Sequence, residues 1–263
     1  MHHAMLNIAI RAARAAGNII VRYSDRVDRL TIAKKSFNEF VTQVDKQAEE
    51  IIVDILSRAY PSHGVLGEEG GYREGNDYIW IIDPLDGTTN YIHGFPQFSI
   101  SIALAYRGRV DQAVVYDPLR EELFTATRGN GAKLNDRRIR VSRCNTLGDA
   151  LLGTGFPHQE FARMDSYLSI FKMFLTASTD IRRAGSAALD LASVAAGRLD
   201  GFWEFGLRSW NMAAGALLIQ EAGGIVSDLH ETDNYLESGS IIAGNPKVHG
   251  AMMQVIQPYK TVF

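Results

Sequence analysis

Apolar side chains recur at every third or fourth position in two segments near the N-terminus, residues 5–23 and 42–59. This period predicts a helix in each segment, and Pro61 ends the second helix. Shorter apolar runs separated by turn residues follow, and they predict strands at 78–83, 97–105, 110–116 and 121–127. The first half of the chain therefore predicts helices packed on a sheet rich in antiparallel strands.

Helical and extended patterns alternate in the second half. A helix is predicted at 163–176, and Ser186 is placed to cap a further helix that stops at Gly197. Asn211 is predicted to open an Ala-rich helix that ends at Gly223. Strands are predicted at 151–155, 200–205, 225–227 and 241–243. Helices and strands interleaved in this way indicate a mixed α/β (α+β) fold.

The composition narrows the class of protein. The chain has 263 residues, of which 46% are hydrophobic and 22% charged, as in a soluble globular protein. A net charge of −3 gives no strong field for nucleic acid or an anionic membrane. Cys144 is the single cysteine, which excludes an intrachain disulfide framework. We see no signal peptide and no apolar run approaching the length of a membrane span, so we expect a cytoplasmic protein without membrane contact.

Two carboxylates, Asp83 and Asp86, stand three residues apart where an apolar run breaks. Pro84 and Gly87 make this segment a predicted turn, and ordinary turn chemistry alone could explain the aspartates. Fixed carboxylates at the end of a strand are also a natural platform for a divalent cation.

A second acidic pair, Glu68 and Glu69, lies upstream between glycines and also follows apolar residues. Two such clusters could converge on a hard cation, because Mg²⁺ prefers oxygen ligands. The N–H groups of Gly87 and Thr88, if they open a helix, could cradle a phosphate. Together these features predict divalent-metal chemistry on a phosphate ester.

Several blocks carry a resemblance to a known family across nearly the whole chain. They are residues 40–45 (FVTQVD), 67–69 (GEE), 80–90 (WIIDPLDGTTN), 114–118 (VVYDP), 185–188 (GSAA), 210–215 (WNMAAG) and 221–224 (EAGG). In this order they resemble the inositol monophosphatase family. The resemblance implies a layered αβαβα sandwich of the sugar-phosphatase type, Mg²⁺ as cofactor, lithium sensitivity and a homodimer.

The resemblance also implies roles for individual residues. Metal ligands would be Glu68, Asp83, the main-chain carbonyl of Leu85, Asp86 and, at the position of the second motif, Asn211. Glu68, Thr88 and Asp45 would form the catalytic group, with Glu68 and Thr88 positioning the attacking water and Asp45, near Lys34 or Lys35, in the outer shell. Substrate contacts would come from Asp86, Gly87, Thr88, Ser186, Ala187, Glu204 and Asn211.

Asn211 departs from the family pattern, which has aspartate at this position. An amide oxygen is a poorer ligand for a hard dication than a carboxylate, so we expect a weakened second metal site and lower turnover. The alternative is purely structural, since Asn and Asp are both good helix N-caps.

Two functions follow from the resemblance. The first is Mg²⁺-dependent hydrolysis of inositol monophosphate or a related polyol or sugar phosphate. The second is a regulatory role, because one bacterial branch of the family is associated with transcription antitermination, so a transcription elongation factor or RNA polymerase would be the partner. In either case we expect an N-terminal half, 1–145, carrying the metal motifs and a C-terminal half, 146–263, carrying the substrate contacts and the second motif, packed as a single unit.

Overall fold

A computed structural model of the chain describes residues 2–24, 32–36, 39–157 and 161–260. The helices in these residues are α1 (His2–Ser24), α2 (Gln43–Ala59), α3 (Thr88–Ile92), α4 (Met164–Ala177), α5 (Ala187–Ala195), α6 (Ser209–Glu221), α7 (Tyr235–Ser238) and α8 (Pro246–Ile256). The strands are β1 (Ile32–Ser36), β2 (Glu39–Thr42), β3 (Gly64–Gly67), β4 (Gly71–Arg73), β5 (Tyr78–Asp86), β6 (Ser99–Tyr106), β7 (Arg109–Asp117), β8 (Glu122–Thr127), β9 (Gly131–Leu134), β10 (Arg137–Arg138), β11 (Leu151–Thr154), β12 (Asp180–Arg182), β13 (Gly201–Phe205), β14 (Ile225–Ser227) and β15 (Ser240–Gly244).

Two large sheets organise these strands. The first has eight strands in the order β10-β9-β8-β7-β6-β5-β3-β4, and the second has five in the order β12-β11-β13-β15-β14. Neighbours in the first sheet are antiparallel except β3 and β5. In the second sheet β11 runs parallel to both of its neighbours. The predicted antiparallel-rich sheet of the first half is confirmed.

Along each strand, alternate side chains point to opposite faces of the sheet and pack in separate apolar layers. Trp80 and Ile82 of β5 pack with α1 and α2, whereas Ile81 faces α5 and α6. On the second sheet Phe202 joins that same central layer, and Trp203 packs with α4 and α8 on the outer side. The period of two along each strand therefore produces five layers, helix–sheet–helix–sheet–helix, as the αβαβα prediction requires.

Most predicted elements are present, with differences that have local reasons. The strand predicted at 78–83 continues to Asp86, because a bulge accommodates Pro84, which has no N–H to pair. Helix α6 begins at Ser209 with Arg208 as N-cap, so the prediction that Asn211 opens this helix is wrong. Helix α8 was not predicted. Whether 1–145 and 146–263 are separate halves stays a prediction.

Helix α1 contains a segment, Ala4–Ser24, that is long and apolar enough to cross a membrane by length and composition alone. Here its small side chains pack into the protein interior, where Ala12, Ala13 and Ala16 have no exposed surface. A core helix meets the same length criterion as a membrane span, and packing against α2 gives α1 the character of a core helix.

Candidate active site

The bulge in β5 brings its two aspartates to one side of the strand. The pairing with β6 runs regularly to Asp83, opposite Ser101, and resumes at Asp86, opposite Ser99. On a regular strand, the side chains of residues three apart face opposite sides of the sheet. The bulge inserts one extra residue, so the side chains of Asp83 and Asp86 face the same side. The main-chain N–H of Leu85, which lies within the bulge, donates to Asp83 Oδ1 at 3.1 Å.

Asp83 has no exposed surface and lies beside other carboxylates. Burial, followed by the negative charges of Glu68 and Asp86, raises the pKa of Asp83 well above its ordinary value. The hydrogen bond between the side chains of Glu68 and Asp83 raises this pKa further. Glu68 follows β3, and its N–H donates to the carbonyl of Ile82 at 3.2 Å. Adjacent parallel strands thus bring the two predicted acidic clusters together.

Asp86 is buried in a different setting, at the start of α5. Its Oδ2 accepts the Ser186 hydroxyl at 2.5 Å and the Ala188 N–H at 2.8 Å. Burial raises the pKa of Asp86 to about 6, although these donors, the Ala187 N–H and the charge of Arg183 lower it. Ser186 also accepts the Leu189 N–H at 3.4 Å, which confirms its prediction as the N-cap of α5. Here Ser186 and Ala187, predicted as substrate contacts, hold a carboxylate.

Thr88 and Asp45 meet on the opposite side of the bulge. The Thr88 hydroxyl lies 3.0 Å from Asp45 Oδ1 and 3.0 Å from the carbonyl oxygen of Leu85. Asp45 stands in the first turn of α2, where its Oδ2 accepts the N–H and hydroxyl of Thr42 in a capping box. Burial raises the pKa of Asp45 despite these donors. Thr88 begins α3 after Gly87, whose φ of 95° favours glycine.

Asn211 presents its nitrogen, not its oxygen, to the carboxylates. Asn211 Nδ2 donates to Asp83 Oδ2 at 2.9 Å, while its Oδ1 accepts the main-chain N–H of Arg208 at 3.0 Å. Rotating the amide by half a turn would set an N–H against an N–H and an oxygen against a carboxylate, so this network fixes the assignment. Asn211 caps the helix from its third position, and the oxygen that a metal would use accepts the Arg208 N–H.

A second group of acids lies beyond Asp86. Glu204 on β13 is half-buried, and burial raises its pKa to about 8, while the charge of Arg183 acts in the opposite sense. Burial, with the charges of Glu204 and Asp86, also raises the pKa of Asp190 on α5 well above its ordinary value. At Gly155 a Cβ would lie 1.9 Å from Glu204 Oε1, so this glycine makes room for the carboxyl group.

The structure assembles most of the predicted site residues. Glu68, Asp83 and Asp86 are neighbours, and so are Thr88 and Asp45. The side chains of Lys34 and Lys35 lie outside the described residues. Asp190 and the electrostatic contact of Arg183 with the acids were missed, because nothing in their local sequence marks them as facing the site.

The oxygen donors gathered here suit a hard cation such as Mg²⁺ in kind. Among the described residues, no three His, Cys, Asp or Glu side chains form a ready metal-ligand group by themselves. The predicted set combines three carboxylates with the carbonyl of Leu85 and the Asn211 amide. Like charges held together at Asp83 are the feature that a dication would relieve. A cavity of about 450 Å³ opens beside Glu68, with Arg208 and Trp210 in its lining.

A layered fold of two sheets and three layers of helices, with an acidic site on a bulged strand, is the class that this geometry defines. The profile of the inositol monophosphatase family matches residues 1–260. The chain therefore belongs to the inositol monophosphatase family.

Individual relatives agree with this assignment. A Pseudomonas aeruginosa protein named Nus factor SuhB is 55% identical over 97% of this chain and 96% of its own length, and its Escherichia coli K12 counterpart is 52% identical over 95% of each. The crystal structure of extragenic suppressor protein suhB from Bartonella henselae superposes with a TM-score of 0.94 at 43% identity, covering 97% of this chain and 98% of that one. Inositol monophosphatase from Anabaena (Nostoc) sp. PCC 7120 gives 0.88 at 38% identity, over 97% and 96%.

Proposed function

We propose that this chain hydrolyses a small polyol or sugar phosphate monoester, with inositol monophosphate as the first substrate to try, and that the reaction depends on Mg²⁺. The observation that carries the proposal is the setting of Asp83, a fully buried carboxyl group whose pKa is raised by burial and by the neighbouring charges of Glu68 and Asp86. Such a concentration of negative charge is unfavourable without a cation and is common at functional sites. Family membership supports the same reading.

Glu68, Asp83, Asp86 and the carbonyl of Leu85 would hold the metal. Bound Mg²⁺ supplies positive charge that neutralises phosphate oxygens and lowers the pKa of water. The protein's own task is to hold these oxygen donors in place. Asp86 is already held by Ser186 and by the start of α5.

Thr88 is placed to orient the attacking water. Its hydroxyl can donate a hydrogen bond to Asp45 Oδ1, which leaves the Thr88 oxygen free to accept a hydrogen bond from water. Glu68, at the edge of the adjoining cavity, would accept the second hydrogen bond of that water. Gly87 and Thr88 N–H groups would face a phosphate oxygen, because α3 begins there.

Glu204 would recognise the alcohol part of the substrate. A carboxyl group with a pKa of about 8 is protonated at neutral pH and can both donate to and accept from a hydroxyl. Asp86 and the Ser186–Ala187 backbone lie along the same side of the site. A polyol, which offers several hydroxyl groups, matches this set of polar partners.

Asn211 sets the expected level of activity. The oxygen of its amide accepts the Arg208 N–H, and the amide carries no charge. A second metal would therefore be held by the carboxylates of Asp83 and Asp86 alone. We expect Asn211→Asp to raise Mg²⁺-dependent phosphate release from inositol monophosphate about 10–100-fold, as for metal-site partners generally. Equal rates and equal Mg²⁺ dependence for the two proteins would contradict this role. Asp54→Asn, a surface change, is the control.

A second candidate function is binding to the transcription machinery, and the relatives named Nus factor SuhB favour it. Binding a protein does not need a complete second metal site. The test is whether this chain forms a complex with purified RNA polymerase or with purified elongation factors. A complex that survives Asp83→Asn would separate this role from catalysis, whereas no complex with any of them would remove the candidate. Sedimentation of the same samples tests the proposed homodimer.

A further inference from the structure

Helix α2 points two carboxylates, Asp45 and Glu49, into the molecule one helical turn apart. Asp45 is 2% exposed and Glu49 is 5% exposed. Residues at positions i and i+4 lie on the same face of a helix. Asp45 accepts a hydrogen bond from the Thr88 hydroxyl on one side of the site. Glu49 makes its contacts elsewhere.

Glu49 binds the backbone of the turn that carries Glu68. Its Oε2 accepts the N–H of Glu69 at 2.9 Å, and its Oε1 accepts the N–H of Gly70 at 2.5 Å. This turn joins β3 to β4, and Gly67 pairs with Gly71 across it. Each carboxylate oxygen therefore takes one main-chain donor within two residues of Glu68. Bonds from N–H groups to an ionised carboxylate are among the stronger hydrogen bonds in proteins.

The glycines of the turn are shaped around the same carboxylate. A Cβ at Gly67 would lie 2.6 Å from Glu49 Oε2, and a Cβ at Gly70 would lie 2.7 Å from Glu49 Oε1. Neither glycine has a positive φ, so backbone conformation does not call for glycine at either position. The close approach of Glu49 does, since these positions have no room for a side chain.

We propose that Glu49 is a positioning residue that sets the Mg²⁺ affinity of the site. Through Glu49 and Asp45, one rigid helix holds both segments that line the metal position, the Glu68 turn and the Thr88 segment. Glu49 is not among the proposed metal ligands, and its effect on Mg²⁺ would pass through the main chain that follows Glu68. The inference rests on the proposed role of Glu68 as a metal ligand.

Glu49→Gln tests the inference directly. A glutamine offers one oxygen and one NH₂ group to two N–H donors, so one donor loses its acceptor and the turn shifts. We expect Mg²⁺ affinity, measured by titration calorimetry, to fall about 10–100-fold, the range seen for groups that orient metal ligands. At saturating Mg²⁺ the KM for inositol monophosphate should stay within about twofold, because the hydrogen bonds of Glu49 go to the Glu69–Gly70 turn and not to the residues proposed to contact the alcohol. Glu50→Gln, the same change on the adjacent exposed residue, should leave both values unchanged.

Gly70→Ala is the second variant and keeps every charge. Its Cβ would displace the Glu49 carboxylate, so the same loss of Mg²⁺ affinity is expected with α2 intact. If both folded variants melt at lower temperature yet bind Mg²⁺ like the parent, Glu49 is only structural and the inference fails. A parent chain that binds no Mg²⁺ would remove both this inference and the proposed function. A parent that binds Mg²⁺ but releases no phosphate would remove the function alone, and the calorimetric comparison would still stand.

Discussion

Asp83 and Asp86 lie at the two ends of one strand bulge, and their surroundings oppose each other. At the Asp86 end a hydroxyl, the first N–H groups of α5 and the charge of Arg183 all favour the ionised carboxylate. At the Asp83 end burial and two further carboxylates oppose ionisation, and the Asn211 amide and the Leu85 N–H each give one favourable hydrogen bond. Both groups have raised pKa values, but the protein compensates one far better than the other.

This difference shows where the protein needs an external cation. The Asp86 end is arranged to hold a charge by its own dipoles and donors, whereas at the Asp83 end two neutral donors, Asn211 and the Leu85 N–H, face three neighbouring carboxyl groups. A dication at Asp83 would supply what the fold leaves out. Variants that change the Asp83 end or the Asp86 end separately test this difference.

The largest effect is expected from Asp83→Asn. Loss of the central carboxylate should lower Mg²⁺ affinity and phosphate release by at least about a hundredfold. The metal-free protein should melt at a higher temperature at neutral pH, because a carboxyl group whose pKa is raised by burial and repulsion costs stability there, whereas asparagine does not titrate. Calorimetry, phosphate release and thermal melts measure these three quantities.

Asp54→Asn, which alters only a surface pair with Arg58, is the matched control for Asp83→Asn. A variant that binds Mg²⁺ as tightly as the parent would place the metal elsewhere. A lower melting temperature without metal would mean that Asp83 stabilises the fold as an ionised group, contrary to its surroundings.

At the other end, Ser186→Ala should give a moderate effect. The change removes the hydroxyl that donates to Asp86 and the N-cap of α5, so the free energy of unfolding should fall by about 1 kcal/mol. Without this donor the pKa of Asp86 rises above about 6. Mg²⁺ binding needs the ionised group, so affinity should fall more at pH 6 than at pH 8.

Titration calorimetry at the two pH values measures the effect of Ser186→Ala, with Ser169→Ala on the exposed face of α4 as control. A loss of affinity that is equal at both pH values would show that Ser186 acts only on the helix and not on the charge of Asp86.

Much of this site could be predicted from sequence, and the limit is physical. Asp83 and Asp86 stand out because charge interrupts an apolar strand, and local pattern carries that signal. Asp190 and Glu49 sit on helices where an acidic residue normally means a solvated face, so their burial depends on what packs against them. The prediction that Asn211 opens α6 was wrong because Asn is a good N-cap, but the cap position fell three residues earlier, at Arg208.

The smallest effect is expected from Glu204→Gln, as a change of stability with pH. The pKa of Glu204 is raised from 4.5 to about 8, so the folded protein keeps a proton that the unfolded chain releases. The stability from this group is complete below pH 4.5 and is lost as pH rises towards 8. Glutamine has no proton to lose, so the melting temperature of the metal-free variant, relative to the parent, should increase by a few degrees between pH 5 and pH 8.

Melting curves of the metal-free proteins across this pH range measure the difference. Glu74→Gln, at an exposed residue, should run parallel to the parent. If Glu204→Gln also runs parallel, Glu204 is ionised in the folded protein at neutral pH, and its proposed donation to a substrate hydroxyl would be wrong.

The strand bulge has a further consequence for observing the site. Because the Leu85 amide is bonded to the Asp83 carboxylate and not to β6, the lifetime of that amide proton depends on what happens to Asp83. Cation binding, which fixes the carboxylate, should slow hydrogen–deuterium exchange at Leu85, while amides in the regular ladder at Ile81 and Ile82 change little. The exchange rate of the Leu85 amide therefore reports on the metal site without substrate or turnover.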